Sequence, residues 1–250
     1  MSRPAPPSRP PFLLDLHNHT HHSHDGVLSP LELLEAAAER GIACVGVTDH
    51  GTVRGGLECA ELAARDSALP RVICGQEIFT EVGEIIGLYL SREIPSGLSL
   101  EESVRAIREQ GGIVYLPHPF DSVRRATIRP EARTQAALLG DVIEVANGRS
   151  LRAGFDEKAL RLAARTGSAL GAGSDAHYRG EVGRAVIEVD RMPRRDDIVE
   201  VLRHGRPVRH RTVRTELLAY YFLGRVGVDK LRGALRRRLD PADPRTDRRG

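Results

Sequence analysis

Histidine and aspartate side chains recur at the ends of apolar runs in this chain. The residues in question are His17, His19, Asp49, His50, His118, Asp175 and His177. Imidazole nitrogens and carboxylate oxygens are the ligands that zinc, manganese and iron commonly take from proteins. An apolar run that ends in such a residue is typical of a buried strand that delivers a ligand to the rim of a sheet or barrel. Because several runs do so, the sequence predicts a cluster of metal ions and a metal-dependent hydrolase.

The first of these runs carries two histidines at alternate positions. Side chains at i and i+2 of a strand point to the same side, so His17 and His19 can bind one ion. Asp15 precedes them, and a carboxylate there can accept a hydrogen bond from an imidazole N–H. An H-x-H pair alone is a weak signal. The ligand-type residues on other strands favour metal binding over an ordinary buried histidine.

The segments between these residues alternate between strand-like and helix-like patterns. Apolar runs of strand length occupy 13–16, 43–48, 71–78, 84–90, 113–116, 142–145, 169–172 and 185–189. Helical patterns lie at 31–38, directly after Ser29-Pro30, and at 54–66, 99–110, 130–139, 156–166 and 195–204. Ser29 before Pro30, and Ser99 three residues before Glu102, are N-cap signals. The sequence therefore predicts repeated β/α units.

The sequence contains about seven such units, and repeated β/α units are typical of a parallel sheet. An open doubly wound sheet has the same rhythm, but it usually places its site at one switch point. Ligand-type residues follow at least five strands here, and a barrel brings the ends of its strands to one rim. We therefore predict an α/β fold, a distorted seven-stranded (β/α)7 TIM-like barrel.

The barrel is expected to form one domain over residues 12–213, because no long polar linker interrupts this range. Residues 1–11 are rich in proline and predict a disordered tail. Residues 214–239 predict a basic helix packed outside the barrel, followed by a disordered tail over 240–250. A solvated helix face accounts for this positive charge, and contact with nucleic acid is the alternative.

Nothing in the sequence predicts export or membrane insertion. No apolar run approaches the ~18 residues of a membrane helix, and the N-terminal residues lack the apolar core of a signal peptide. Cys44, Cys59 and Cys74 have no C-x-x-C spacing and are expected to be buried free thiols. We therefore expect a cytoplasmic protein with no membrane partner.

In order along the chain, five motifs resemble those of the PHP (polymerase and histidinol phosphatase) domain family. They are His17-Asn18-His19-Thr20, Thr48-Asp49-His50, Gly75-Gln76-Glu77, Pro117-His118-Pro119-Phe120 and Ser174-Asp175-Ala176-His177. The resemblance spans roughly residues 13–190, and the ordered set of motifs is highly specific. It implies a metal-dependent phosphoesterase whose site lies at the C-terminal rim of a barrel.

The resemblance also implies which residues bind two or three divalent cations of zinc, manganese or iron. The ligands of the first ion would be His17, His19, Glu77 and Asp175. Glu77 would bridge to a second ion that His118 also binds. A third ion would take Asp25, His50 and His177, with His24 as the alternative to Asp25. By contrast, His21 and His22 are expected to be exposed loop residues.

Two places depart from the family pattern. Where relatives with three ions provide another histidine after the fifth strand, this chain has Asn147. An amide is a poor substitute for imidazole, so water or Asn147 completes that site, or two ions dominate. Glu81 and Glu84 follow the third strand, where some relatives place a histidine, and they are expected to be solvated rather than extra ligands. The number of ions is left open at two or three.

The expected chemistry follows from these ions. A hydroxide held between two cations bridged by Glu77 would attack phosphorus. His177 or Asp49 would donate a proton to the leaving group through water. The candidate phosphate-binding residues are Arg124, Arg149 and Arg184, because they follow strands at the same rim and a guanidinium matches phosphate oxygens in a fork.

A small phosphorylated metabolite or a short nucleotide is the favoured substrate, because scarce aromatic side chains argue against stacking along a longer nucleic acid. One alternative is hydrolysis of a C–N bond, since similar barrels with an H-x-H first strand are amidohydrolases. Asp175-x-His177, together with His50 and His118, favours the PHP pattern. The other alternative is a metal-binding module without catalysis, as in some replicative polymerases. The native metal and the oligomeric state are not set by the sequence.

Overall fold

The computed structural model describes residues 11–124 and 126–209, which form nine strands and six helices. The strands are β1 (Phe12–Asp15), β2 (Ile42–Val47), β3 (Arg71–Thr80), β4 (Gly83–Leu88), β5 (Ile113–Leu116), β6 (Val142–Asn147), β7 (Ala169–Gly173), β8 (Ala185–Val189) and β9 (Arg206–Arg209). The helices are α1 (Pro30–Glu39), α2 (Arg54–Arg65), α3 (Leu100–Glu109), α4 (Arg133–Leu139), α5 (Ala153–Thr166) and α6 (Ile198–Arg203).

All nine strands belong to one sheet, in the order β7-β6-β5-β4-β3-β2-β1-β8-β9. β1, β2 and β3 are parallel to one another, as are β5, β6 and β7, whereas β4 runs antiparallel between β3 and β5. The sheet curves back on itself, because Leu16 N donates to Ala172 O at 3.0 Å and Asn18 bridges Ala176 in parallel. The result is a nearly closed TIM-like barrel, which confirms the predicted fold class.

The predicted number of seven strands is wrong, because the described residues form nine. β4 is the return strand of a hairpin, joined to β3 by the two residues between Thr80 and Gly83. β8 pairs antiparallel with β1, and β9 pairs antiparallel with β8 at the edge of the sheet. β9 reads Arg-Pro-Val-Arg, which is too short and too polar to give a strand pattern by itself.

The helix starts follow the capping signals where those signals exist. Ser29 and Ser99 both form complete capping boxes, so α1 and α3 begin where the sequence predicts. α4 begins at Arg133 rather than residue 130, and α5 at Ala153 rather than residue 156. Neither has an N-cap side chain that hydrogen-bonds the first turn, so the sequence carries no local start signal there.

The apolar core fills the barrel and the layer beneath the helices. One cluster takes side chains from β1 to β8 and from α6, including Leu14, Tyr115, Val142 and Ile187. Leu, Ile, Val and Ala dominate it. The three cysteines are free thiols; Cys44 and Cys59 are buried and Cys74 is half-buried. Burial raises the pKa of Cys74 to about 12.

Several predictions concern residues outside the described ranges. Residues 1–10 of the predicted Pro-rich tail, the basic helix over 214–239 and the tail over 240–250 all lie there. The predicted limits of the barrel domain, 12–213, therefore stay a prediction. Within 11–124 and 126–209, no helix is long and apolar enough to cross a membrane.

Candidate metal centre

Four side chains predicted to share one ion meet at the end of the barrel strands. His17 and His19 follow β1, Glu77 lies within β3, and Asp175 follows β7. His17 Nε2 lies 3.1 Å from His19 Nε2 and 3.3 Å from Glu77 Oε2. His19 Nε2 lies 3.3 Å from Glu77 Oε2 and 3.4 Å from Asp175 Oδ1. All four are buried, and their ligand atoms are close enough to surround one cation.

Glu77 presents its second oxygen to a different histidine. His118 follows β5, and its Nε2 lies 3.3 Å from Glu77 Oε1. Neither His118 Nε2 nor Glu77 Oε1 makes a hydrogen bond of good geometry with a described residue. His118 Nδ1 has no hydrogen-bond partner among the described residues either. Buried polar atoms without partners are costly, and a cation between His118 and Glu77 would satisfy both.

The residues assigned to the third ion also lie together. His177 Nε2 is 3.1 Å from Asp25 Oδ2, and His50 Nε2 is 3.8 Å from the same oxygen. His50 Nδ1 lies 3.4 Å from Glu77 Oε2, which joins this group to the first one. His24, the alternative to Asp25, is 70% exposed at its side chain and its Nε2 is 4.0 Å from Asp25 Oδ2. The choice of Asp25 as ligand stays a prediction.

The charges of the site fit bound cations. Burial lowers the pKa of His50 to about 3 and of His177 to about 4, so both imidazoles are neutral at physiological pH, as a metal ligand must be. Burial also lowers the pKa of His17, but the carboxylates of Asp175, Glu77 and Glu144 outweigh it and hold that pKa well above its ordinary value. A divalent cation can replace the proton that these carboxylates attract.

Two of the predicted ligands have a left-handed backbone. The φ angles are 28° at His118 and 54° at Asp175, a region that residues other than glycine rarely occupy. Hydrogen bonds hold both: His118 N donates to Glu144 Oε2 at 2.8 Å, and Asp175 N donates to His17 O at 2.7 Å. Such strained positions concentrate at functional sites.

Of the three predicted phosphate-binding arginines, Arg124 and Arg149 lie on the two sides of Asp175. Arg124 forms an ion pair with Asp175 Oδ2, and Arg149 Nη1 lies 4.0 Å from Asp175 Oδ1. Arg184 instead contacts Glu181 at 3.3 Å and the Tyr178 hydroxyl at 3.0 Å. The structure therefore brings two of the three to the ligand cluster. Their binding of phosphate stays a prediction.

The two predicted proton donors have different surroundings. His177 Nδ1 lies 2.8 Å from the Asp175 carbonyl oxygen and 2.7 Å from Arg149 Nη1. If Nδ1 carries the proton and donates it to the carbonyl oxygen, the lone pair of the ring is on Nε2 and can bind an ion. If Nδ1 instead accepts from Arg149, the proton is on Nε2. The Asp49 carboxylate accepts from Thr20 N at 2.6 Å, Thr20 Oγ1 at 2.8 Å and Ser23 Oγ at 2.9 Å, and so holds the loop after β1. Donor roles for both residues stay predictions.

Asp15 does not hydrogen-bond an imidazole in the described part of the chain, contrary to expectation. Its carboxylate accepts from Ser174 N at 2.8 Å, Ser174 Oγ at 2.5 Å and Gly183 N at 3.0 Å, and it ties β1 to the chain after β7. The expected contact behind His17 is made instead by Glu144, a carboxylate outside the predicted ligand set, whose Oε1 lies 3.1 Å from His17 Nδ1. The only sequence signal for Glu144 is a charged residue inside an apolar strand.

Glu84 is a further buried acid, and the expectation that it would be solvated is wrong. It is 4% exposed, and its Oε1 lies 3.7 Å from His50 Nδ1. Burial, and then the charge of Glu77, raise its pKa well above the ordinary value. Glu81 is exposed, as predicted. The two glutamates differ because β4 turns Glu84 toward the site.

Asn147, which stands where relatives have a histidine, is engaged by its neighbours. Its Nδ2 donates to Glu144 Oε2 at 2.9 Å and to Asp175 Oδ2 at 3.2 Å. Its Oδ1 accepts from Arg149 N at 2.9 Å and from Arg124 at 3.3 Å. Because its amide oxygen already accepts these two hydrogen bonds, we interpret Asn147 as a residue that orients these neighbours rather than as a ligand. The number of ions stays a prediction.

The histidines expected to be loop residues lie on the outer side of the loop after β1. His21 is exposed, and the partly buried His22 places its Nε2 2.9 Å from Glu58 Oε2. This pairing with α2 separates His22 from the buried ligand group.

Comparison with known proteins supports the motif assignment. A model of the PHP domain matches residues 15–123, and a PHP-associated model matches residues 155–207. The chain is 42% identical over 122 residues to the uncharacterised protein MJ1587 of Methanocaldococcus jannaschii, covering 45% of this chain and 70% of that protein. It is 34% identical over 131 residues to a 5'-3' exoribonuclease of Haemophilus influenzae, covering 51% of this chain and 45% of the relative.

The fold is shared with solved structures of low sequence identity. A two-domain protein of Bacteroides vulgatus, described as containing a predicted PHP-like metal-dependent phosphoesterase, is similar with a TM-score of 0.64 and 21% identity. The likeness covers 84% of this chain and 70% of that chain. At this identity it bears on the fold alone.

Proposed function

The chain belongs to the PHP family, and from that premise we propose that it hydrolyses a phosphomonoester or a phosphodiester with two or three divalent cations. The observation that carries the proposal is the two-sided contact of Glu77. Its Oε2 lies 3.3 Å from Nε2 of both His17 and His19, and its Oε1 lies 3.3 Å from His118 Nε2. A carboxylate so placed suits a pair of ions that share one bridge, an arrangement well matched to phosphoester hydrolysis.

The side chains around the ions have separate roles in this proposal. When bound, the ions activate water for attack on phosphorus and offset the charge on the phosphoryl oxygens. Arg124 and Arg149 bind those oxygens and hold the phosphorus in line with the attacking water. As the P–O bond to the leaving group breaks, the leaving oxygen takes a proton through water from Asp49, or from His177 when its Nε2 is not bound to an ion.

The proposed substrate is a small phosphorylated metabolite or a short nucleotide. Aromatic residues are 4% of the chain, which disfavours a stacking platform for a long single strand. Phe79 stacks on His50 with ring centroids 5.3 Å apart and supplies an apolar surface beside the third-ion residues. The similarity to an exoribonuclease supports a nucleotide, and short RNA belongs in the substrate panel.

The experiment is metal analysis of the purified protein, followed by a phosphoester panel with added manganese or zinc. The panel should contain p-nitrophenyl phosphate, its diester, nucleotides, short RNA, amides and lactones. We expect bound metal and turnover of at least one phosphoester. His19→Ala should lose at least a hundredfold in turnover, since it removes a predicted ligand from the shared ion.

His22→Ala is the matched control, because this histidine lies on the same loop but pairs with Glu58. It should keep wild-type turnover. Metal content below one ion per chain would refute the proposal. Turnover of amides alone would favour C–N hydrolysis, and bound metal without turnover of any substrate would favour a metal-binding module without catalysis.

A further inference from the structure

A carboxylate outside the predicted ligand set connects several of its members. We propose that Glu144, on β6, is a positioning residue that fixes the tautomer of His17 and the main chain of His118 for metal binding. This inference rests on the proposed metal-dependent function and adds to it a residue outside the predicted ligand set.

Glu144 is 2% exposed, and both of its oxygens are fully used. Oε1 lies 3.1 Å from His17 Nδ1 and accepts from the Tyr115 hydroxyl at 3.0 Å. Oε2 accepts from His118 N at 2.8 Å and from Asn147 Nδ2 at 2.9 Å. A carboxylate offers about four acceptor sites, so these partners leave its plane no freedom to rotate.

The contact with His17 decides which ring nitrogen carries the proton. His17 turns Nδ1 toward Glu144 and Nε2 toward Glu77 and His19. An ionised carboxylate only accepts hydrogen bonds, so Nδ1 must donate. Once a cation replaces the second proton of His17, its lone pair is on Nε2, on the side where the predicted ligands of the first ion meet. A carboxylate behind a ligating imidazole also raises the basicity of the ligand.

The same carboxylate reaches two further strand ends. His118 has a left-handed backbone with φ 28°, and its N–H is directed at Glu144 Oε2. Asn147 connects Glu144 to Asp175, because its Nδ2 donates to Glu144 Oε2 and also to Asp175 Oδ2 at 3.2 Å. Glu144 therefore links the predicted ligands after β1, β5 and β7.

The test is Glu144→Gln in the full chain. The carboxamide keeps the shape of the side chain but converts one oxygen into an N–H donor. Since the backbone N–H of His118 cannot reverse its direction, the remaining oxygen is expected to face His118 and the amide nitrogen to face His17. When zinc is bound to His17 Nε2, the His17 proton is on Nδ1. The Nδ1–H of His17 and the N–H of the new amide would then face each other with no acceptor between them. We expect zinc and manganese affinity to fall about ten- to hundredfold.

The second readout is NMR of the imidazole nitrogens in zinc-loaded protein. Wild type should show a protonated His17 Nδ1, and Tyr115→Phe should keep it, because that change removes one donor and leaves the carboxylate. Asp15→Asn is the matched control, since Asp15 is equally buried but accepts from Ser174 and Gly183. It should leave the His17 signal in place even if it lowers stability.

The inference is overturned if Glu144→Gln binds zinc as tightly as wild type. If that variant does not fold, zinc-loaded wild type decides: an unprotonated His17 Nδ1 overturns the inference and a protonated one supports it. If wild type binds neither zinc nor manganese, the proposed function itself is overturned. If wild type binds metal and the Glu144→Gln variant binds it equally well, only the inference about Glu144 is overturned.

Discussion

Asp175 is the residue at which the predicted ion site and the predicted anion site meet. Its Oδ1 lies 3.4 Å from His19 Nε2, and its Oδ2 pairs with Arg124. Burial raises the pKa of this carboxyl, but the positive charges of Arg124 and His17 outweigh burial and hold it well below the ordinary value. Asp175 is therefore charged at physiological pH, as a cation ligand must be.

Arg124→Lys tests the role of the guanidinium at this residue. Lysine keeps the positive charge but loses the planar fork that can bind two phosphate oxygens. We expect kcat/KM for the phosphoester substrate to fall about ten- to hundredfold, in line with one charge-assisted hydrogen bond of about 1.5–3 kcal/mol. Steady-state kinetics with bound metal quantified measures the change. Arg65→Lys, at an exposed position on α2, is the control. Equal kinetics for both variants would argue against phosphate binding by Arg124.

At the scale of elements, the close approach of β7 to the chain after β1 shapes the site. A Cβ atom at Gly173 would lie 2.2 Å from His17 Cβ and 2.7 Å from Glu144 Oε1. Neither neighbour can retreat easily, because His17 is buried and Glu144 is held by four contacts. The glycine at the end of β7 is thus what allows the His17–Glu144 contact to form.

Gly173→Ala should therefore move His17 and destabilise the protein. We expect a loss of about 1–3 kcal/mol in the free energy of unfolding, typical of overpacking, together with weaker metal binding. Urea denaturation and zinc titration are the measurements. Gly154→Ala is the matched control, because a Cβ at this position of α5 meets nothing within 4 Å. It should leave metal binding unchanged, and a Gly173 variant as stable as this control would contradict the packing argument.

At the scale of the whole molecule, one end of the barrel concentrates buried charged and titratable groups. Glu77, Glu84, Glu144 and Asp175 are all buried beside the predicted histidine ligands. Carboxylates this close together repel one another when ionised, so the metal-free barrel carries an electrostatic cost at this end. Cations would offset this cost and link strands that are distant in sequence.

Bound metal should consequently stabilise the fold. A ligand at about a hundred times its dissociation constant adds about 2.7 kcal/mol, which corresponds to about 5–10 °C in Tm for a chain of this size. Calorimetry with a chelator and then with saturating zinc measures the shift. It should shrink as pH is lowered, because protons compete for His17, whose pKa is raised. Glu77→Gln should abolish most of the shift, and an unchanged Tm in wild type would contradict the prediction.

Many of the predicted site residues could be identified from the sequence because each lies next to a local signal. His17, His50, His118 and Asp175 lie two or three residues after the ends of β1, β2, β5 and β7, so the strand pattern predicts their positions at strand ends. The same patterns, with the Ser29 and Ser99 caps, predicted the barrel and most element bounds. Local patterning sufficed because strand ends and helix starts depend on neighbouring residues.

Only the tertiary structure decided the contacts between these segments. Glu144 meets His17 across 127 positions of sequence, Asp15 meets Ser174 across 159, and neither pairing has a local signature. The burial of Glu84 depends on the hairpin of β3 and β4, and the strand β9 on pairing with β8. The sequence thus determined which side chains are candidate ligands for ions. Closure of the barrel determined which carboxylate orients them, because that choice depends on distances between strands that local patterns do not encode.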